Sequence, residues 1–344
     1  MEVVESLQNK YWPPVGPFKK FDEEFDKFIN SSKSEQEQYL NNLRCNPAAH
    51  GKFIQTSLSM IYGYVFGYVD SPCYLRADDE LEIRLNIAKI IFEREMINHW
   101  LKPKPIPKGL TQTEAVDYLK MFIESNDGIY HKFFDFIRDD ISRESMIEFL
   151  KLESIRNEVV DDEVAYIVIG LQGAMKSAMA SNLWDECGNG KGTGFHTYWL
   201  RRLLNHLESY DSLPDYRDNV APWFSKVTSN SFNSMATRPG YKYRAYGSFL
   251  ITESWVNAHF KRIIVGMDRT NLSLEDITIY FTAHVKLDPF HTEDMLQSMR
   301  KQEPVLTQNE IDEILLGAHT AASAGQLMYD ASLIYFQEKQ ISNN

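Results

Sequence analysis

The sequence predicts an all-α fold. Four capping-box patterns, in which Ser or Thr is followed three residues later by Glu or Asp, stand ahead of stretches with helical periodicity. Sustained alternation of apolar and polar residues, which is typical of strands, is absent from the sequence. The composition, 43% hydrophobic in 344 residues, suits a globular protein with a sizeable core. The capping patterns begin at Ser32, Thr111, Ser273 and Thr307.

Helical periodicity extends over most of the chain and is interrupted by one segment rich in proline. LKPKPIPKGL, residues 101–110, stacks three prolines and a glycine between two helical runs. We therefore expect an N-terminal helical extension, residues 1–105, and a main domain, residues 106–344. The predicted helices are 20–30, 34–44, 48–69, 78–100, 111–125, 127–139, 143–157, 161–186, 195–209, 216–236, 243–266, 273–300 and 307–338.

Charge and cysteine content narrow the classes of partner. A net charge of -12 and a pI near 5.3 argue against nucleic acid and anionic membrane surfaces, which attract clustered Lys and Arg. Small molecules and proteins remain as partners.

The cysteines, Cys45, Cys73 and Cys187, form no CxxC pair, and the N-terminus has no apolar signal region. We expect a cytoplasmic protein without a membrane span, since the apolar runs 60–69 and 164–171 fall short of roughly 20 residues.

Two glycine patterns look like phosphate-binding loops and are rejected. In GLQGAMKS, 170–177, Met175 occupies the position where a P-loop needs glycine, and the segment is expected in mid-helix without a preceding strand. GNGKGTG, 188–194, also lacks a preceding strand. We interpret it as a helix stop followed by a flexible turn.

The segment HVKLDPFH, 284–291, has a spacing typical of a metal site. His284, Asp288 and His291 fall at offsets of 0, 4 and 7, which place them within an arc of roughly 60° on one helix face. Imidazole nitrogen and carboxylate oxygen together suit iron, manganese or zinc. A triplet of this kind also occurs on ordinary solvent-exposed helix faces. Further candidate ligands elsewhere in the sequence are therefore needed to support a metal site.

Candidate partners for this triplet lie in two other segments. In WDECGNGKGTGFH, the glycine-rich turn separates Glu186 from His196, so both side chains can reach one centre. In SFLITESWVNAHF, Glu253 sits in an otherwise apolar helix, where an unpaired carboxylate costs several kcal/mol unless it is neutral, hydrogen-bonded or metal-bound. His259, further along the same helix, is either a donor to such a ligand or a core histidine.

Taken together, these segments resemble the heme-oxygenase-like diiron oxidases and oxygenases. The resemblance covers about residues 115–335 and is carried by NLWDECGNG, HTYWLRRLL, YGSFLITE and the final H-x-x-x-D-x-x-H. It implies a heme-oxygenase-like seven-helix core with two Fe(II) ions that activate O2 through a peroxo-diferric intermediate. The metal ligands it implies are Glu186, His196, Glu253, His284, Asp288 and His291, with Glu186 and Glu253 also as catalytic carboxylates.

The resemblance further implies an additional iron ligand from the helix before the glycine-rich turn. Glu158, Asp162 and Glu163 are the candidates, and the sequence does not choose among them. A ferritin-like site is not expected, because the chain has no Glu-x-x-His motif.

Known activities of the family include N-oxygenation, desaturation and C–C cleavage. We therefore expect oxidation of a small amino-acid-like or amine substrate, in natural-product biosynthesis, by a homodimer that uses an external reductant. Arg201, Arg202 and Arg262 are candidates to pair with a substrate carboxylate.

Two alternatives stay open. One is a hydrolase with a single metal on His284, Asp288 and His291 and with Glu186 or Glu253 as general base. The other is a helical binding protein without catalysis, in which the histidines are structural.

Pro289 follows a candidate ligand directly. It removes an amide donor and clashes with the carbonyl of Val285 in a regular helix, so we expect a kink or a local opening there. The hypothesis that follows is that 280–295 orders when iron binds.

Overall fold

The computed structural model of the protein describes residues 21–67, 78–126, 128–207, 213–274 and 277–343. Within these ranges the chain is all-α, as predicted, and the sole β-type pairing is an isolated bridge between Cys187 and Phe195. The helices are α1 (Glu23–Asn30), α2 (Lys33–Leu43), α3 (Pro47–Val65), α4 (Asp79–Glu95), α5 (Gln112–Ser125), α6 (Lys132–Asp139), α7 (Arg143–Arg156), α8 (Val160–Val168), α9 (Gly173–Glu186), α10 (His196–His206), α11 (Val227–Ala236), α12 (Lys242–Arg269), α13 (Ile279–Arg300) and α14 (Gln308–Asn343).

Shorter helical turns join several of these helices. They comprise π turns at Met96–Leu101 and Tyr216–Val220, a short α turn at Leu213–Asp215, and 3-10 turns at Gly188–Gly190, Gly192–Gly194, Trp223–Lys226 and Pro239–Tyr241.

Three of the four capping boxes are confirmed. Ser32 and Thr111 each exchange hydrogen bonds with the glutamate three residues later, and Thr307 does the same with Glu310. Each exchange satisfies amide groups that the first helical turn leaves without partners. The fourth pattern ends at Asp276, which lies outside the described residues.

Two predicted helices, 161–186 and 216–236, are each broken in two, so the predictions of continuous helices were wrong. The first breaks between α8 and α9, where Gly170 and Gly173 have φ of 83° and 58°. The segment that resembles a P-loop therefore spans a helix break and does not lie in mid-helix. The second breaks at Pro222, whose ring cannot continue a helix from the preceding turn.

The long helix α12 lies at the centre of the main core and packs against α13, α14 and α6. Its approach to α14 depends on two glycines. A Cβ atom on Gly247 would lie 1.9 Å from the carbonyl oxygen of Ile314, and one on Gly317 would lie 1.9 Å from that of Arg244. The two backbones therefore touch at this crossing, which fixes the helix that carries Glu253.

A Gly247→Ala variant tests this contact. We expect the free energy of unfolding to fall by about 1–3 kcal/mol, because the added methyl group forces two packed helices apart. Gly240→Ala is the matched control, since a Cβ there meets nothing within 4 Å. Thermal unfolding measures both variants, and equal melting temperatures would contradict the close contact.

The N-terminal helices α1 to α4 form a second hydrophobic cluster, which includes Val227 and Ala324 from the main domain. Helix α3 reaches the main domain through Gly51, whose Cβ position is about 3 Å from the rings of Trp100 and Trp223. The boundary near residue 105 stays a prediction.

No helix in the described part of the chain is both long and apolar enough to span a bilayer. Cys45 and Cys187 are free thiols. Cys73 lies outside the described residues.

Candidate metal centre

The structure brings the six predicted ligands together as two buried groups of three. We call Glu186, His196 and His284 the first group, and Glu253, Asp288 and His291 the second group. Within each group, one nitrogen or carboxylate oxygen per residue lies within 4.8 Å of the others, and every residue is buried. The two groups share one electrostatic environment, because the Glu186 carboxylate raises the pKa of both Glu253 and Asp288.

The glycine-rich turn brings Glu186 and His196 together. Glu186 is the last residue of α9 and His196 is the first of α10, and the turn between them closes through the bridge from Cys187 to Phe195. Gly188 has φ of 58°, and a Cβ there would lie 2.2 Å from the backbone of Gly194. Glycine is therefore required where the chain crosses itself.

Helix α13 presents its three ligand candidates on one face and continues through Pro289. The proline leaves the carbonyl of Val285 without its helical donor. Asn257 Nδ2 on α12 donates to that oxygen at 2.5 Å. The polar group that proline exposes is thus satisfied by the helix that also carries Glu253.

Hydrogen bonds orient two of the imidazole rings. His284 Nδ1 donates to the carbonyl oxygen of Tyr280 at 2.6 Å, which leaves Nε2 as a lone-pair donor. His291 Nε2 lies 3.1 Å from a carboxylate oxygen of Asp185, while its Nδ1 lies 3.3 Å from Glu253. Metal-binding histidines commonly donate their second N–H to a carbonyl or carboxylate in this way.

Several buried polar atoms in the two groups have no hydrogen-bond partner among the residues that the structure describes. Both carboxylate oxygens of Asp288 belong to this set, although the residue is only 1% exposed. Glu186 Oε2 and His196 Nδ1 lie 2.8 Å apart, yet their alignment does not meet hydrogen-bond geometry. Buried polar atoms without partners are rare. Lone pairs that converge without bonding to each other fit metal ligands, and the mixed nitrogen and oxygen set fits iron.

The pKa values of the three acids shift in different directions, although burial acts on all of them in the same sense. Burial and the nearby carboxylates raise the pKa of Asp288 well above its usual range, and burial raises that of Glu253. Burial acts the same way on Glu186, but the neighbouring His196 outweighs it, and the pKa of Glu186 is lowered. Because a metal ion binds the ionised carboxylate, the raised pKa values of Glu253 and Asp288 would couple metal binding to release of protons.

The two α13 histidines differ in basicity. Burial and the charge of His196 lower the pKa of His284 to about 3. Burial also acts against protonation of His291, but Glu253 and Asp185 outweigh it and raise its pKa to about 9. His284 is thus neutral at pH 7, whereas His291 would have to lose a proton before it could bind a metal.

Of the three candidates for an additional ligand, Glu163 has the best position. It is buried, faces the same cavity as both groups, and has a pKa raised to about 8, chiefly by burial. Glu158 instead pairs with Arg217 at 2.9 Å, and Asp162 is exposed.

A cavity of about 50 Å³ opens beside the two groups. Its lining includes members of both groups, Glu163, and a second set of polar side chains that sequence reasoning missed. The predicted carboxylate partners Arg201, Arg202 and Arg262 are not among its lining residues, and Arg262 pairs with Asp135 at 3.1 Å. The other polar residues of the lining include Arg156, Asn157, Thr228, Ser229 and Tyr280.

Three other polar residues, on the helices that carry ligand candidates, differ in whether the sequence indicates their role. Asp185 stands beside Glu186, so the acidic pair itself was a signal. Asn182, one helical turn before Glu186, is buried with both amide atoms unpartnered, and nothing in its sequence context marks it. His259 bonds to the carbonyl of Gly128 at 2.7 Å and stacks on Phe134, as a core histidine does.

Comparison with solved structures supports the fold. Two crystal structures of a CADD-like protein of unknown function from Nostoc punctiforme match the chain with TM-scores of 0.52 and 0.51. They share 13% and 12% sequence identity with it, cover 65% and 66% of this chain, and are themselves covered over 97% and 96% of their length. At such identity the likeness concerns the fold alone. The chain matches no curated protein.

A protein-family model provides the assignment. The model described as iron-containing redox enzyme matches residues 147–326, which is more than half of the chain and includes all six ligand candidates. This match confirms the family resemblance seen in the sequence. The chain belongs to the family of iron-containing redox enzymes.

Proposed function

We propose that the protein is a non-heme diiron oxidase or oxygenase that uses O2 to oxidise a small amino-acid-like or amine substrate. The observation that carries this proposal is the pair of adjacent buried groups, each of which brings three potential metal ligands together. Four of their atoms, Glu186 Oε2, His196 Nδ1 and both Asp288 carboxylate oxygens, have no hydrogen-bond partner among the described residues. Two ferrous ions, when bound there, would supply the electrons that reduce dioxygen.

The first group and the second group would each hold one iron, and Glu163 is the proposed additional ligand. Four carboxylates, those of Glu163, Glu186, Glu253 and Asp288, balance the charge of two divalent ions. Such a balance favours binding of a metal pair in a buried site, where uncompensated charge is costly.

The chain's own residues would prepare this site in three ways. Tyr280 and Asp185 hold the rings of His284 and His291 by hydrogen bonds. Burial by the surrounding helices limits access of bulk water. The protons on Glu163 and His291 must leave as metal binds, which couples metal affinity to pH.

An Asp185→Asn variant tests the positioning of His291. We expect affinity for Fe(II) at the second group to fall roughly 10- to 100-fold, because the amide no longer accepts a charge-assisted hydrogen bond. An anaerobic Fe(II) titration measures this, with Asp135→Asn, outside the site, as control. Unchanged affinity would show that Asp185 does not position the ligand.

The hydrolase alternative is less well supported by the geometry. His284 groups with Glu186 and His196, whereas Asp288 and His291 group with Glu253, so the helix stripe is divided between two sites. A purely structural role for the histidines would leave the unpartnered atoms of Asp288 unexplained.

The decisive experiment is anaerobic loading with Fe(II), a count of iron per chain, and exposure to O2 in stopped flow with a panel of amino acids and amines. We expect two irons per chain, a transient visible absorption, and a faster decay of that absorption with a subset of the panel. One redox-silent zinc per chain, without an O2 response, would support the hydrolase alternative.

The assembly and the electron donor are further proposals. We propose a homodimer and an external reductant. Light scattering in solution and turnover with and without a chemical reductant test them separately.

A further inference from the structure

The cavity beside the two groups contains one Lys or Arg side chain among its described lining residues, that of Arg156. This arginine ends α7, and its side chain is 14% exposed. Its Nη2 donates to Glu153 at 2.6 Å, and within the described part of the chain this is the one hydrogen bond of the guanidinium. Most of its N–H donors therefore remain available to a ligand.

The Tyr280 hydroxyl provides a second donor at the same cavity. Tyr280 lines the cavity and is 2% exposed, and among the described residues its hydroxyl has no hydrogen-bond partner. Buried tyrosine hydroxyls usually find one. Arg156 and Tyr280 line the same cavity, so both donors can serve one ligand.

These donors are not needed to neutralise the metal ligands. Two ferrous ions would balance the four carboxylates of the proposed iron site, and Glu153 balances Arg156. What remains is a planar guanidinium with free donors and a nearby hydroxyl, a combination that matches the oxygens of a carboxylate.

The size of the cavity fits a small ligand. One water molecule needs roughly 10–15 Å³ of cavity volume. A cavity of about 50 Å³ therefore has room for about four waters. A carboxylate with two or three neighbouring carbons is of that size, so a simple aliphatic acid is a suitable probe.

We propose that Arg156, together with the Tyr280 hydroxyl, binds the carboxylate of the substrate and thereby selects amino acids over simple amines. This inference rests on the proposed function, because a substrate bound by Arg156 would share the cavity with members of both groups. Arg156 and Tyr280 act here in binding and selection.

Calorimetric titration of the Fe(II)-loaded protein without oxygen tests the proposal with propionate and with propionamide, which has the same size and no charge. We expect wild type to bind propionate saturably and at least tenfold more tightly than propionamide. Arg156→Gln should weaken propionate binding roughly 10- to 100-fold, as expected for loss of charge-assisted hydrogen bonds. Arg262→Gln, the matched control outside the cavity, should leave it unchanged.

Two further variants keep the test decisive if Arg156→Gln fails to fold. Arg156→Lys retains the charge that pairs with Glu153 but loses the forked geometry, and Tyr280→Phe removes only a hydroxyl. Both should bind propionate several-fold more weakly than wild type. Wild-type affinity in either the Gln variant or in both of these variants would overturn the proposal and indicate that the metal alone holds the carboxylate.

Iron content, measured on the same samples, separates this proposal from the proposed function. An Arg156→Gln variant with two irons per chain and weakened propionate binding supports both. If wild type holds no iron, the proposed function fails. The same titrations on the metal-free chain then still decide whether propionate binding depends on Arg156.

Discussion

An Asp288→Ala variant is expected to lose O2-dependent turnover by at least about 100-fold and to retain no more than one iron per chain. Changes in groups that merely orient a ligand already cost roughly 10- to 100-fold, and Asp288 would itself be a ligand. Both of its oxygens lack hydrogen-bond partners although the residue is buried. Its removal therefore takes away a metal ligand and few stabilising contacts.

The same variant should keep its helical content, and its metal-free form should melt no lower than that of wild type. A buried polar group without a partner is destabilising by about 1–3 kcal/mol, and the substitution relieves this. Asp294→Ala, an exposed aspartate on the same helix, is the matched control and should keep two irons. Iron analysis, circular dichroism and oxygen uptake measure these effects. Full turnover in Asp288→Ala would exclude it as a ligand, and Glu253→Ala offers a parallel test.

Stability and metal affinity should respond to pH in opposite directions. In the metal-free protein the pKa of Glu163 is raised to about 8 and that of His291 to about 9. A group whose pKa is higher in the folded chain favours folding while it stays protonated, so its contribution is lost as pH rises through the folded value. Between pH 6.5 and 9 the metal-free protein should therefore lose several degrees of melting temperature.

Metal affinity should increase over the same range. Each proton that binding displaces gives roughly a tenfold gain in affinity per pH unit, and Glu163 and His291 both release protons. The gap in melting temperature between the Fe(II)-loaded and the metal-free protein should widen from pH 6.5 to 9. The effect of His284 on folding stability is opposite to that of Glu163 and His291. Its pKa is lowered to about 3 in the folded chain, so the folded chain loses stability as pH falls below 6.5.

Differential scanning fluorimetry at several pH values, with and without Fe(II) and without oxygen, measures both trends. Glu163→Gln should flatten the decline of the metal-free protein below pH 8, since the amide does not titrate. A melting temperature of the metal-free protein that rises from pH 6.5 to 9 would contradict the assignment of protonated acids to this site.

Much of the fold was predictable because its signals are local. Capping boxes at Ser32, Thr111 and Thr307 marked helix starts from four residues of sequence each. The breaks at Gly170 and Gly173 and at Pro222 do not follow from periodicity, because the residues on either side of them keep the helical pattern. Glycine and proline are helix breakers, and here they end the helices although the pattern around them is helical.

The grouping of the ligand candidates was only partly predictable. The spacing on α13 placed His284, Asp288 and His291 on one face, but the division of that face between two groups depends on where α9, α10 and α12 pack. Arg156 reaches the cavity from the end of another helix, and nothing in its local sequence distinguishes it from a surface arginine. Such contacts are set by tertiary packing, which sequence periodicity does not encode.

Anomalous diffraction at the iron edge, from crystals grown and soaked with Fe(II) without oxygen, tests the central claim most directly. The account predicts two iron peaks per chain, one among Glu186, His196 and His284 and the other among Glu253, Asp288 and His291. A single peak, or peaks that avoid either group, would contradict it.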